Sequence, residues 1–183
     1  MNKEVELDKI SKEIENCKEC KSNKTGFPVV GEGTSEAEIM FVGEAPGSSE
    51  VKEGRPFVGR SGKFLTKMLE SIGINRKDVY ITSPVKYYPG KRSPTPEEFR
   101  HGKKHLLKQI DVIKPKIIVL LGNVALKTLV DENLTVSNVH GKEIKKDVIY
   151  FPTFHPSAAM RFTKARNKMN GDFKKLQNLI KSL

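Results

Sequence analysis

"AEIMFVGEAPG", residues 37–47, is the run that decides the fold. Its first half is a short apolar stretch that stops at Gly43, the pattern of a buried strand. Its second half puts a carboxylate, Glu44, at the lip of that strand, among residues suited to a tight turn: Ala45, Pro46 and Gly47. A core helix or a plain loop needs no such combination. The run reads as a strand that ends in a site.

Outward from it, strands and helices alternate. "SGKFLTKMLESIGI" (61–74) sets Phe64, Leu65, Met68, Leu69 and Ile72 on one helical face, with Ser61 as the expected N-cap and Gly73 as the stop. "DVYITS" (78–83) is a second strand, followed by the basic-aromatic loop "VKYYPGKRS". Thr95-Pro96-Glu97-Glu98 opens a helix with a cap, a proline in the first turn and acids at the positive dipole end. That helix closes before Pro115, and "KIIVLLG" (116–122) is the third strand, leading into the helical "NVALKTLV". A hairpin is expected over 134–150 around "HGKE", then a last strand, "VIYFPTFHP" (148–156), and a basic helix over about 163–182. At the other end, Val5, Ile10 and Ile14 mark an amphipathic helix over about 3–16. The alternation predicts an α/β fold with a largely parallel sheet in one domain, 1–183.

The 183 residues include 33 Lys and Arg against 22 Asp and Glu, a formal charge of +11. Such an excess favours a polyanionic partner, nucleic acid first, although a solvated lysine-rich surface has the same composition. No run approaches the roughly 18 apolar residues of a membrane span. The acidic N-terminal segment lacks the apolar core of a secretory signal, so an intracellular protein is expected.

Ligands of open α/β sheets bind outside the carboxyl ends of the strands. Four such ends are legible: "GEAPG", "TSPVK", "LGNVA" and "FHPSAA". They bring Glu44, Ser83, Gly122, Asn123 and His155 toward one edge. Each has a plainer reading alone: a solvated Glu, a simple strand–helix turn, a packed histidine. Gly122 and Asn123 at a helix start also suit an anion. Phe57, in "GRPFVGRSG" (54–62), stands in a loop too rich in Gly and Arg for a core element, so it either stacks on a base or plugs the loop.

Taken together, "GEAPG", "EGRPFVGRSGKFL", "VYITSPVK", "PTPEE", "PKIIVLLGNVA" and "FPTFHPSAAMR" resemble the uracil-DNA glycosylase superfamily, and within it the thermostable iron–sulfur family 4. The resemblance runs in order over about residues 10–181. It implies a three-layer α/β/α fold around a central, mostly parallel four-stranded sheet. It also implies excision of uracil, or a related deaminated base, from DNA in base excision repair. By resemblance, Gly43, Ala45 and Gly47 belong to the pocket turn, Glu44 polarises a water and Glu50 fills a second acidic position. Phe57 matches the stacking aromatic, and His155 the donor to uracil O2. Gly122 and Asn123 match a phosphate-gripping turn. Arg60, Ser157 and Arg161 would meet the DNA backbone, and Met160 or Ala159 would wedge into the stack. The partner would be uracil-containing DNA, met by a monomer in the cytoplasm at the nucleoid.

Two features depart from the family pattern. Ser83 stands where an asparagine amide reads the base edge, and a hydroxyl offers one rotatable group where the amide offers a fixed donor and acceptor. The family's [4Fe–4S] cluster takes four cysteines; Cys17 and Cys20 match two, while Tyr87 and Gly102 stand at the others. The expectation is therefore no cofactor, with Tyr87 packing where the cluster would sit. A zinc site from Cys17, Cys20 and one of the nearby His101 and His105 is the alternative. An alternative function is a catalytically weak relative that binds damaged or single-stranded DNA. Hydrolysis of free nucleosides is a third, disfavoured by the charge.

Overall fold

The computed structural model describes residues 2–183; Met1 lies outside them. In chain order the elements are α1 (Lys3–Asn16), α2 (Lys18–Lys21), β1 (Glu32–Gly33), β2 (Ile39–Val42), α3 (Glu50–Glu53), α4 (Arg60–Ser71), a 3-10 turn (Arg76–Asp78) and β3 (Tyr80–Thr82). There follow α5 (Pro96–Ile113), β4 (Ile117–Leu121), α6 (Asn123–Leu129), α7 (Val136–Val139), β5 (Ile144–Lys145), β6 (Ile149–Thr153), α8 (Pro156–Arg161) and α9 (Thr163–Lys181). The sheet order is β1-β3-β2-β4-β6-β5. The inner four strands, β3, β2, β4 and β6, are parallel throughout. The expected four-stranded centre is thus present, edged on each side by a two-residue antiparallel strand.

Period-two alternation along the strands divides the core into two layers. Ile39, Phe41, Ile81, Ile117, Val119 and Phe151 face α4 and α9, whose Leu65, Leu69, Met169, Phe173 and Leu176 meet them. Met40, Val42, Tyr80, Ile118 and Leu120 face the other way, onto Leu106 and Ile113 of α5 and Leu126 and Leu129 of α6. Both faces of the central strands are covered, which is why they read as unbroken apolar runs. A third cluster, Ile10, Ile14, Cys20 and Tyr87, sits under α1 and α2.

Local chemistry sets the helix ends. Thr95 and Glu98 form a reciprocal capping box at the start of α5. That helix stops at Lys114, left-handed at φ 55°, just before Pro115. Three details differ from expectation. Gly59, not Ser61, is the N-cap of α4, because the preceding loop is held by Glu50. Val5 points outward at 47 % exposure, and Leu7 takes its place in the inward stripe. Residues 134–150 form no simple hairpin: α7 comes first, "HGKE" is the turn after it, and the true hairpin joins β5 to β6. The Gly141 amide is tied to the Pro152 carbonyl at 2.8 Å, which draws that turn onto β6 and leaves only two residues to pair as β5.

Candidate active site

The four parallel strands end level with one another, and the residues just beyond them line one cleft. The Gly43 amide donates to the Thr82 carbonyl at 2.8 Å and the Gly122 amide to the Thr153 carbonyl at 2.9 Å, extending the ladder by one bond at each place. The cleft encloses about 240 Å³ and is lined by Glu44, Ala45, Gly47, Glu50, Phe57, Ser83 and His155, among others. Residues more than a hundred positions apart thus share one hollow.

His155 caps α8, whose first residue is Pro156. The Ser157 amide donates to His155 Nδ1 at 3.2 Å, and Ser157 Oγ lies 2.7 Å from the same nitrogen. An Nδ1 that accepts leaves the proton on Nε2, so the neutral ring is a donor at its far end. Burial pushes the imidazole down to about 4, against the pull of Glu50. It is therefore uncharged at neutral pH. Glu44 is half-buried, and burial raises its carboxyl above the usual value, opposed by a hydrogen bond from Ser93.

Phe57 forms the facing wall, its ring centroid 5.7 Å from that of His155. It sits at φ 50°, rare for a bulky side chain and a form of strain that clusters at functional sites. Glu50 holds the loop: its carboxylate accepts from the amides of Gly47 (3.1 Å), Val58 (3.0 Å) and Gly59 (2.9 Å). A buried carboxylate with three backbone donors joins the turn after β2 to the Phe57 loop, a positioning arrangement. Arg76 grips the other side, donating to the carbonyls of Pro56 and Phe57 and pairing with Glu32.

Ser83 is buried, and its hydroxyl donates to the Val85 carbonyl at 2.8 Å. Its proton is committed, so what it offers the cleft is an acceptor. Gly122 and Asn123 support the site from behind. The Gly122 amide is spent on the sheet, and a Cβ there would lie 3.1 Å from His155 Cβ, so its bare backbone at φ 95° makes room for the histidine. The Asn123 amide oxygen accepts from the Val136 amide at 2.8 Å.

A second groove opens beside the cleft and shares Gly47, Glu50, Ser61 and Ser157 with it. Arg60, Met160 and Arg161 line it as well. Ala159 is fully buried and is no wedge, whereas Met160 is partly exposed. Phe162, one residue past α8 and next in the chain to Arg161, is 58 % exposed, and no periodicity marks such a residue. The loop after β3 supplies the remaining wall through Tyr88, Pro89 and Arg92. The arrangement pairs an aromatic wall, a ring N–H donor and a buried carboxylate with an adjoining basic groove. It suits a flat polar ring turned out of a polyanion.

Away from the cleft, Cys17, Cys20, His101 and His105 gather their ligand atoms within 4.8 Å of one another. From sequence one of these histidines is expected as the alternative ligand; the structure brings both to the cysteines. The legible signal was two histidines at i and i+4 on one helix, alongside a C-x-x-C.

Comparison with known proteins gives the family. A sequence model described as the Uracil DNA glycosylase superfamily matches residues 30–178. The type-4 uracil-DNA glycosylase of Sulfurisphaera tokodaii is 45 % identical, over 94 % of this chain and 84 % of its own length. That of Thermotoga maritima is 43 % identical over 94 % and 93 %, and that of Archaeoglobus fulgidus 42 % over 94 % and 92 %. Among the described residues no helix is long and apolar enough to cross a membrane. With the matched span covering the sheet, the cleft and the groove, the chain belongs to the uracil-DNA glycosylase superfamily.

Proposed function

We propose that this chain is a monofunctional DNA glycosylase that hydrolyses the N-glycosidic bond of uracil, or a closely related deaminated base, and leaves an abasic site. The observation that carries the reading is the convergence of Glu44, Phe57, Ser83 and His155 on one cleft that adjoins the Arg60–Arg161 groove. The groove would hold the backbone while one nucleotide turns out of the stack, with Met160 beside the vacated place. Phe57 would cover the base. The Nε2 proton of His155 would bond to the base oxygen on which charge gathers as the bond to C1′ breaks. Glu44 would orient a water for attack at C1′. The water supplies the hydroxyl, and the departing base takes up a proton.

Ser83 bears on the choice of base. An acceptor at that place suits the ring N–H of uracil, and equally the corresponding N–H of hypoxanthine, but not the bare ring nitrogen of cytosine. The family relation and the +11 charge support DNA as the partner. On this reading the chain works as one domain and as a monomer, inside the cell at the nucleoid.

The test is alkali-induced strand cleavage at a single lesion, using U·G, U·A and single-stranded uracil, with hypoxanthine, xanthine and thymine substrates and a His155→Ala control. Release of uracil that disappears in the control supports the reading. No release of any base by the intact protein would leave a DNA-binding relative instead.

A further inference from the structure

The resemblance to family 4 implies a [4Fe–4S] cluster, and the residues at that place do not fit one. A cubane cluster needs four thiolates standing around four irons and four sulfides. Only Cys17 and Cys20 are present. Tyr87 is 3 % exposed and packs against Cys20, Ile10 and Ile14, filling the position of the third cysteine. At Gly102, the fourth position, a Cβ would come within 2.0 Å of the Pro84 carbonyl oxygen, so α5 lies too close for any side chain there.

What the site holds instead is a different donor set. Cys17 lies between α1 and α2 and Cys20 within α2, while His101 and His105 share one face of α5. The pattern is C-x2-C with H-x3-H, two halves brought together by the packing of the N-terminal helices on α5. Cys17 Sγ is 3.2 Å from His101 Nε2, and all four donors fall within 4.8 Å. Zinc–sulfur and zinc–nitrogen bonds in a tetrahedron imply donor–donor spacings of about 3.3–3.8 Å. The group is therefore of a size for one ion and too tight for a cube.

The surroundings point the same way. The Cys20 amide donates to Cys17 Sγ at 3.4 Å. Glu19 Oε2 lies 2.8 Å from His101 Nδ1, on the ring edge opposite the cysteine, although off the line of a hydrogen bond. A carboxylate behind a ligating imidazole is the usual outer support of a zinc histidine. His105 Nδ1 is buried without a hydrogen-bond partner, and Glu13 Oε2 stands 3.9 Å from it.

We propose that Cys17, Cys20, His101 and His105 bind one zinc ion in place of an iron–sulfur cluster, joining α1 and α2 to α5. Two thiolates and two imidazoles around a single ion are the closed tetrahedral set of a structural zinc site. The ion would also steady the loop over residues 84–92, which begins at the Pro84 contact and ends in the cleft wall at Arg92. No step of base release passes through it.

The experiment measures zinc, iron and acid-labile sulfide in the full chain purified from cells supplied with both metals. The expected result is one zinc per chain without stoichiometric iron or sulfide. Cobalt(II) added to metal-stripped protein should give the visible bands of a tetrahedral site with thiolate charge transfer. Cys20→Ser should lose the metal, and Glu19→Gln should lower zinc affinity about tenfold. If Cys20→Ser does not fold, His105→Gln and the cobalt spectrum of the intact chain read the same site. Stoichiometric iron with sulfide would overturn the proposal. So would a metal-free chain that takes up no cobalt, or zinc that survives loss of both His101 and His105.

Discussion

The ring of Phe57 rests directly on the backbone of Gly43: a Cβ at Gly43 would lie 2.8 Å from two ring carbons. The end of the first central strand and the aromatic wall of the cleft are thus one packed unit. Gly62 completes it, since a Cβ there would meet the Phe57 carbonyl oxygen at 1.8 Å. A methyl at Gly43 displaces the ring or closes the cleft. Gly43→Ala should therefore lower kcat/KM for base release by about 10²-fold, the cost of roughly an ångström of misplacement, while the fold survives. Single-turnover kinetics beside a melting curve check it; unchanged kinetics would place the ring outside the base pocket.

His155 should be the strongest single determinant of the cleavage step. Loss of one preorganised donor to developing charge costs about 10²–10³-fold in rate. His155→Ala should show that loss under single turnover with DNA affinity kept. Equal loss of binding and cleavage would assign the residue to DNA contact instead.

The pH profile separates the two titrating groups. His155, with its pKa pushed down to about 4, is already neutral across the range where an ordinary histidine titrates, so no limb is expected near 6.5. Glu44 must be ionised to orient water, and burial raises its pKa, so activity should fall with decreasing pH through a value above the ordinary 4.5. That acid limb should be missing from the residual activity of Glu44→Ala. A limb near 6.5 that vanishes in His155→Gln would show a charged imidazole at work.

Glu50 is expected to position the loop rather than to react. Glu50→Gln replaces a carboxylate that accepts three amides by a group with one acceptor oxygen. The cost should be about 1.5–3 kcal/mol of stability, since hydrogen bonds to a buried charge are involved. The pH profile of the remaining activity should keep its shape, and a shifted limb would make Glu50 a participant in the chemistry.

Ser83→Asn should narrow the range of bases. A fixed amide supplies a donor as well as an acceptor, and a base that cannot match both leaves a buried group unpaired. Competition between uracil and cytosine substrates measures it, since cytosine matches neither amide group, with the ratio shifting toward uracil by about tenfold, or about 1.4 kcal/mol. An unchanged ratio would remove Ser83 from base reading.

Much of this protein is legible locally. The apolar runs ending at Gly43 and Gly122 are strands because both faces are buried, and burial on both faces leaves a mark in sequence that needs no partner. Thr95, Pro96 and Glu98 announce α5 because capping is satisfied within four residues. The hairpin around "HGKE" was misplaced because the Gly141–Pro152 bond, formed across the sheet edge, decides where the turn falls. Likewise, Glu44, Glu50, Ser83 and His155 are visible as residues at strand ends.

Their states are another matter. That His155 faces Phe57 across the cleft, that Glu50 gathers the amides of Val58 and Gly59, and that Asn123 is engaged with Val136 depend on contacts between segments. The same holds for Cys17 and His101, 84 residues apart, whose 3.2 Å approach exists only once α1 and α2 pack on α5. Sequence by itself determined where the elements lie and which residues reach the carboxyl edge, because hydrophobic period, caps and turns act over a few residues. Only the tertiary structure decided which of those residues face one another across the cleft and which donors gather into one set, because hydrogen bonds and ligand clusters act at about 3 Å between parts of the chain that local chemistry does not connect.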